Sequence, residues 1–382
     1  MQTMKTCYST QHLSSAAKIV QEDLRYILNK LSIELPHLAG KNILVTGGAG
    51  FLGFYLVLAL LFWNRQSSSQ EKVHVTVYEN YIRGMPQWLK NLASNSELSL
   101  VRQDMSSPLP DSMPDFSYII HAASIASPTY YRKYPIETMD ANVSGLRSLL
   151  EYAKQQKNKE KPVEGLLFFS TSEIYGDPEP GNIPTPETYR GYVSCTGPRA
   201  CYDESKRYGE ALCVNFAQQH GLPIKITRPF NNYGPGLKIT DKRVIPDFAR
   251  DILAGHNIVM HSNGTPSRTF CYVADAVVGY FKVMIRGRTG EAYNIGTEHP
   301  EISIARLAEL MTSIARKKFN YQGSVIHQAS TDSDYLVDNP NRRCPAIAKA
   351  RHDLDYNPDI PIEEGLLRTL VWYNENTTAE ES

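Results

Sequence analysis

Lys41 to Gly53 reads KNILVTGGAGFLG. Asn42–Val45 has the make-up of a short strand, and Phe54–Trp63 that of a helix. Between them Gly47, Gly50 and Gly53 stand at GxxGxxG spacing. Glycines in such a turn let backbone N–H groups approach a pyrophosphate at the helix N-terminus. A bare glycine pattern can also be a structural turn; the strand–turn–helix setting makes it a dinucleotide fingerprint. Glu79 ends the next strand pattern, in VHVTVYEN (73–80). A carboxylate there accepts hydrogen bonds from ribose hydroxyls and repels a 2′-phosphate, which points to NAD rather than NADP. Asp104, after LSLVRQD (98–104), is similarly placed to meet the adenine edge.

Working outward, Val73–Tyr78, Leu98–Arg102, Tyr118–His121, Gly165–Ser170 and Ile224–Arg228 read as strands, and Asn142–Lys154 and Tyr202–Gln219 as helices. This βαβ rhythm predicts an α/β fold with a Rossmann-type, doubly wound parallel sheet. After about Phe230 the rhythm breaks into shorter elements punctuated by Gly234, Pro235, Gly236, Asn263, Gly264 and Pro266. Val244–Leu253 and Ile304–Ala315 look helical, with Ala292–Ile295 a strand between them. The expected division is an NAD-binding domain over 40–230 and a smaller C-terminal α/β substrate-binding domain over 231–382, with about 268–290 returning to the first. Gln328 to Arg343 is polar and reads as a surface loop. Residues 1–39 form a helical extension. Its stripe of Ile19, Val20, Leu24, Ile27, Leu28 and Leu31 predicts a helix docked on the body, with a partner-binding helix as the alternative.

Forty basic residues offset forty acidic ones among 382, so no global field favours nucleic acid or a membrane. The most apolar run, Phe51–Trp63, is too short to span a bilayer. Cys7, Cys195, Cys201, Cys213, Cys271 and Cys344 contain no CxxC pair. That scatter suits reduced thiols in a cytoplasmic enzyme better than a disulfide framework or a metal site. Met1 to Leu13 lacks the apolar core of a signal peptide.

Two motifs carry the chemistry. Tyr202 and Lys206, in YDESK, share a helix face at i and i+4. A lysine ammonium so placed favours the phenolate, which can act as a base on a sugar hydroxyl while hydride leaves for NAD. Upstream, LLFFSTSEIYG (166–176) delivers Thr171, Ser172 and Glu173 to the sheet's carboxyl edge. Thr171 can hydrogen-bond the oxygen being oxidised, and Glu173 is a carboxylate beside that centre.

Together, TGGAGFLG, HAASIASP (121–128), STSEIYG, GPRACYDESKR (197–207), RPFNNYGPG (228–236) and RTFCYVADAV (268–277) resemble the extended short-chain dehydrogenases that act on nucleotide sugars. The resemblance runs from about Lys41 to Tyr373. Within that family GPRACYDESKR, RRCPAIAKARHDLDYNP (342–358) and IEEGL (362–366) are most similar to the UDP-glucuronate decarboxylases, which make UDP-xylose. The resemblance implies that Gly50, Phe51, Leu52, Glu79, Asn80, Asp104 and Met105 line NAD, with Ala123 and Ser124 approaching from the other side. It implies Tyr202 as the base and Lys206 on the nicotinamide ribose. Asn232, Arg243 and Arg268 would hold the nucleotide diphosphate or the sugar, with Arg199 and Glu173 near them. It also implies a homodimer built on the apolar faces of 142–154 (Leu146, Leu149, Leu150, Tyr152) and 202–219 (Leu212, Val214, Phe216); burial within one subunit is the alternative.

Reactions of this family begin by oxidising the sugar at C4. A 4,6-dehydratase then needs an acid for the departing C6 hydroxyl, and many resemble one another in an Asp-Glu pair after the threonine. This chain has Ser172-Glu173, and a serine is a poor general acid. A decarboxylase needs no such acid, because the C4 ketone lies β to the C6 carboxylate. Ser172, Glu173 and Arg268 would position that carboxylate and manage the C5 proton. Against this stands Asp140, in PIETMDANVSG (135–145), where similar decarboxylases carry a lysine near the sugar. A carboxylate near the sugar repels glucuronate and favours a neutral hexose. A 4,6-dehydratase or a 4-epimerase on a neutral hexose is therefore the alternative. The GDP-mannose dehydratases share Thr-Ser-Glu but use NADP, which Glu79 disfavours. Epimerases usually lack the glutamate. A non-enzymatic NAD-binding scaffold typically loses the tyrosine or the lysine, and both are present here.

Overall fold

The computed structural model of the protein describes residues 14–330 and 337–377. Cys7 and the polar stretch Met1–Leu13 lie outside the described residues.

The first half alternates strictly. Helix α1 (Ser15–Lys30) leads to β1 (Asn42–Thr46), α2 (Phe51–Asn64), β2 (His74–Glu79), a short α3 (Gln87–Lys90), β3 (Leu98–Arg102) and β4 (Tyr118–His121). Then come α4 (Pro128–Lys133), α5 (Pro135–Asn158), β5 (Gly165–Phe169), α6 (Ala200–His220) and β6 (Ile224–Pro229). The second half holds β7 (Asn232–Tyr233), α7 (Val244–Leu253), β8 (Ile258–Met260), β9 (Ser267–Thr269), β10 (Cys271–Tyr272) and α8 (Val273–Arg286). It ends with β11 (Ala292–Ile295), β12 (Glu301–Ser303), α9 (Ile304–Phe319), β13 (Val325–His327), β14 (Arg342–Arg343), α10 (Ala348–Leu354) and α11 (Ile362–Asn376).

Seven strands form one parallel sheet in the order β11-β6-β5-β4-β1-β2-β3. The order reverses beside β1, so the carboxyl ends of β1 and β4 flank a crevice, the usual ligand position in open α/β sheets. Alternate residues of β5 feed opposite cores. Leu166 and Phe168 pack with Leu146 and Leu149 of α5 and Phe216 of α6. Leu167 and Phe169 pack on the face of α2 and α8. A strand buried on both sides must be apolar throughout, as GLLFF is.

The expected strand Ala292–Ile295 is not part of the smaller domain. It is the edge strand of the main sheet, paired with β6 in register Ala292↔Ile226. The segment rejoining the sheet layer therefore runs past the expected 290 to Ile295. Helix α8 lies in the crossover that joins the parallel strands β6 and β11.

Helix α1 docks against α2, α8 and α11. This explains why α2 is apolar almost all round: its outer face is covered by α1 rather than by water. The junction is polar at one point. Asp23 of α1 is fully buried, and accepts hydrogen bonds from Tyr55 of α2 (2.5 Å) and Tyr272 of β10 (2.7 Å). Arg368 of α11 closes the cluster at 2.5 Å. Burial still pushes the Asp23 carboxyl up to about 6 against these partners.

The segment read as a polar loop, Gln328–Arg343, ends in structure. Arg342–Arg343 is a short strand parallel to β9, and Arg343 is buried. Its charge is satisfied by a carboxylate, which is why polarity misled the reading there. Of the dimer face, Leu146, Leu149, Leu150, Tyr152 and Phe216 are consumed by the subunit's own core, and Leu212 and Val214 pack against it partly buried. Among the described residues no helix is long and apolar enough to cross a membrane, and no group of side chains is arranged to hold a metal.

Candidate active site

A cavity of about 870 Å³ opens over the carboxyl edge of the sheet. Its cofactor half is built by the β1–α2 turn. Gly47 has φ +73°, and a Cβ there would lie 2.7 Å from Ala123 Cα. A Cβ on Gly53 would lie 2.4 Å from the Gly48 carbonyl oxygen. Both positions therefore demand glycine, the first for conformation and the second for close packing. Gly50 caps α2, so the helix N-terminus with Phe51 and Leu52 faces the cavity.

Glu79 accepts backbone N–H bonds from Ala49 (3.3 Å), Asn80 (3.1 Å) and Tyr81 (3.2 Å). One lone pair on Oε2 is left over for a ribose hydroxyl. Asn80 Nδ2 donates to Asp104 Oδ2 at 3.1 Å, which ties the ends of β2 and β3 together under the adenosine position. Met105, Ala123 and Ser124 line the same cavity. The Ser124 hydroxyl oxygen is buried with no partner among the described residues, a polar atom that awaits a ligand. This donor set fits NAD. In Glu79→Ala, NAD affinity is expected to fall about tenfold or more while discrimination against NADP relaxes, read by titration with each dinucleotide.

The chemistry sits where β5 meets α6. Thr171 caps a tight 3₁₀ turn, Ser172–Tyr175, by accepting from the Glu173 N–H at 3.2 Å. Its side chain also hydrogen-bonds Tyr202. The Lys206 ammonium donates to the Phe169 carbonyl at 2.8 Å and lies 5.9 Å from the Tyr202 ring centre. Burial dominates both groups: it pushes Tyr202 up to about 12, with Thr171 opposing, and pulls Lys206 down to about 7. The protein's own groups thus do not bring the tyrosine near neutrality, contrary to the simple pairing argument. The site is dry enough that each charge costs more than its neighbour returns.

Glu173 is the electrostatic centre. Arg199 and Arg343 both pair with it, the latter with Nη2 at 2.6 Å from Oε2. Burial pushes the Glu173 carboxyl up, but the Arg199 and Arg343 charges outweigh it and hold it well below the ordinary carboxylate range. Ser172 is buried beside it and lines the same cavity. Arg268 is also there, yet its guanidinium is spent on the carbonyls of Ser267 (2.7 Å), Pro340 (2.5 Å) and Asn341 (3.2 Å) and on Asn339. It still lines the cavity, and these bonds also anchor the segment that delivers Arg343. Burial and the Arg343 charge pull Arg268 down to about 9.

Asn232 lines the cavity with its Oδ1 accepting from Tyr280 at 2.5 Å. Arg243 caps α7 beside it, held by Asp241 at 3.0 Å and by the Ala126 carbonyl at 3.3 Å. Asp140 is exposed on α5 and does not line the cavity. The expectation that it repels a sugar carboxylate is corrected by helix phase, because Glu137 and Ala141 face the cavity instead.

Sequence reasoning missed three residues. Arg343 was hidden in a polar run. Tyr131 of α4 stacks on Tyr202 with ring centres 5.0 Å apart and planes 8° from parallel. Asp203 is buried next to Tyr202 in sequence. Asp203 lies inside the YDESK motif, but only the fold shows that a charge there is enclosed.

Comparison with known proteins agrees with this geometry. Residues 43–296 match the family described as the NAD dependent epimerase/dehydratase family. UDP-glucuronic acid decarboxylase 3 of Arabidopsis thaliana is 36% identical over 325 residues, 85% of this chain and 86% of the relative. UDP-glucuronic acid decarboxylase 1 of Xenopus tropicalis is 34% identical, across 87% of this chain and 72% of the relative. Among solved structures, UDP-glucose 4-epimerase of Thermotoga maritima with UDP-glucose superposes with a TM-score of 0.73 at 25% identity, covering 88% of this chain and 99% of that one. With its parallel sheet, its glycine turn and its Thr–Tyr–Lys constellation, the chain is an NAD-dependent enzyme and belongs to the NAD dependent epimerase/dehydratase family.

Proposed function

We propose that the protein decarboxylates UDP-glucuronate to UDP-xylose through a transient C4 ketone. The observation that carries this is the convergence of Arg199 and Arg343 on the single carboxylate of Glu173, beside Tyr202. Two forked guanidiniums that already hold a carboxylate can exchange it for the carboxylate of an acidic sugar. Relatives named UDP-glucuronic acid decarboxylase, at 36% and 34% identity, support the reading.

The residues divide the work as follows. Tyr202, oriented by Thr171, takes the proton of the C4 hydroxyl as a phenolate, a form that the positive charge of bound NAD would favour beyond what Lys206 alone achieves. NAD, when bound, accepts the C4 hydride and later returns it. The C4 ketone then draws the electrons of the C5–C6 bond as carbon dioxide leaves. Glu173, displaced from the arginines by the sugar carboxylate, takes up from solvent the one proton that the net reaction consumes and becomes the acid that delivers it to C5. Tyr202 reprotonates the C4 oxygen when the hydride comes back.

The test is incubation of the protein with NAD and UDP-glucuronate, followed by mass spectrometry. Loss of carbon dioxide with formation of a UDP-pentose is expected, and Glu173→Gln should abolish it while NAD still binds. Loss of water from a neutral nucleotide hexose, with UDP-glucuronate inert, would replace this reading by a 4,6-dehydratase.

We also propose a homodimer through the outer faces of α5 and α6. The buried leucines do not supply the contact. Tyr208, 51% exposed on α6, with Ala211 and the half-buried Leu212 beside it, is what remains outward. The absence of disulfides among the five described cysteines fits a reducing, cytoplasmic setting.

A further inference from the structure

Asp203 is 3% exposed, and no step above uses it. Arg199 stands one helical turn before it. Asp203 Oδ2 lies 3.8 Å from Arg199 Nε, beyond hydrogen-bond range. Asp203 Oδ1 and Arg199 Nε both lack a partner among the described residues. The other edge of the same guanidinium, through Nη2, donates to Glu173. One arginine is thus suspended between two enclosed carboxylates, one on the turn after β5 and one on α6. A small shift of its Nε edge would satisfy both orphaned atoms.

We propose that Asp203 is a positioning residue that holds the Nε edge of Arg199, so that the opposite edge passes from Glu173 to the carboxylate of an acidic sugar. This rests on the decarboxylase reading and adds to it the origin of the preference for a charged sugar.

The charges around Asp203 come from four elements. Arg199 shares its helix, Glu173 faces it from the turn after β5, and Arg343 and Asp338 reach it from β14 and the segment before it. Tyr131 of α4 adds a phenol. Burial and the Glu173 charge push the Asp203 carboxyl up to about 8, with Arg199 and Arg343 opposing. Below that pH, Arg199, Arg268 and Arg343 face one ionised carboxylate, and the site favours an added anion. Above it the second carboxylate ionises, and the excess positive charge shrinks by one.

The experiment is calorimetric binding of UDP-glucuronate and UDP-glucose to the NAD-loaded protein at about pH 6.5 and about pH 9, on either side of that ionisation. In the wild type, affinity for UDP-glucuronate is expected to fall about tenfold with rising pH, the effect of one nearby charge, while UDP-glucose is unmoved. Asp203→Asn should shrink this pH dependence to the part that Lys206 and Arg268, which also titrate between these pH values, still supply, and leave UDP-glucose binding intact. An unchanged pH dependence in Asp203→Asn overturns the assignment. So does parallel loss of both ligands in Asp203→Asn and in Asp203→Ser, which would mark a role in folding alone. Wild-type binding of UDP-glucuronate without pH dependence overturns the inference and spares the decarboxylase reading. Wild-type binding of UDP-glucose alone overturns both.

Discussion

Tyr202→Phe is expected to lower turnover of UDP-glucuronate by about 10²–10⁴-fold, the usual worth of a positioned general base. The ring is retained, so its stacking on Tyr131 and its place in the core survive. What disappears is the oxygen that Thr171 orients. NAD binding should change little, because Gly47, Glu79 and Asp104 carry the adenosine half. The defect therefore belongs in kcat rather than KM. It should also abolish the transient nicotinamide absorbance that marks oxidation at C4. A variant that still formed this transient at the wild-type rate would remove Tyr202 from the first step and pass the proton to Glu173.

The second large effect is on stability. Arg368→Leu leaves Asp23 buried with two tyrosine donors and no counter-charge. Breaking a buried pair from one side costs about 3–5 kcal/mol. Part of this is attenuated because the Arg368 side chain is 18% exposed, so some water reaches it. The pH dependence has a definite sign. Asp23 has a folded pKa raised to about 6 from 3.8, so its contribution to stability is full below 3.8 and is lost as pH rises through about 6. Without Arg368 the folded value rises further. Thermal unfolding at about pH 5 should show a smaller penalty than at about pH 7.5, where the stranded charge must be ionised or carry a bound proton. Equal penalties at both would mean that Arg368 acts through its packing on Tyr272, 5.8 Å from the ring centre, rather than through charge.

The parts of the fold legible in the sequence are those with local causes. Gly47 and Gly53 announce their turn because a side chain at the first meets a left-handed backbone and at the second the Gly48 carbonyl. Strands such as GLLFF announce themselves because burial on both faces leaves no room for polarity. The site was legible where one motif carries one role, as in Thr171, Tyr202 and Lys206. It was illegible where a role depends on a distant segment. Arg268 lines the cavity, but its guanidinium is also tied to the carbonyl of its neighbour Ser267 and to those of Pro340 and Asn341, more than 70 positions away, which no local motif announces. Arg343 looked like a loop residue because its partner lies 170 positions away. Asp140 misled for a different reason: on a helix one position of phase separates the cavity, which Ala141 lines, from solvent, which Asp140 faces.

The pairing of α1 with α11 has a consequence for biosynthesis. Ala16 near the start of α1 donates its N–H to Glu375 near the end of α11 at 2.8 Å. During translation α1 emerges on the order of tens of seconds before its partner helix exists. Through that interval its apolar stripe and Asp23 have nowhere to settle, and α2, apolar on every side, has no cover. The nucleotide-binding sheet can pair its strands on the ribosome, but its outermost layer is fitted last, when α11 reaches α1.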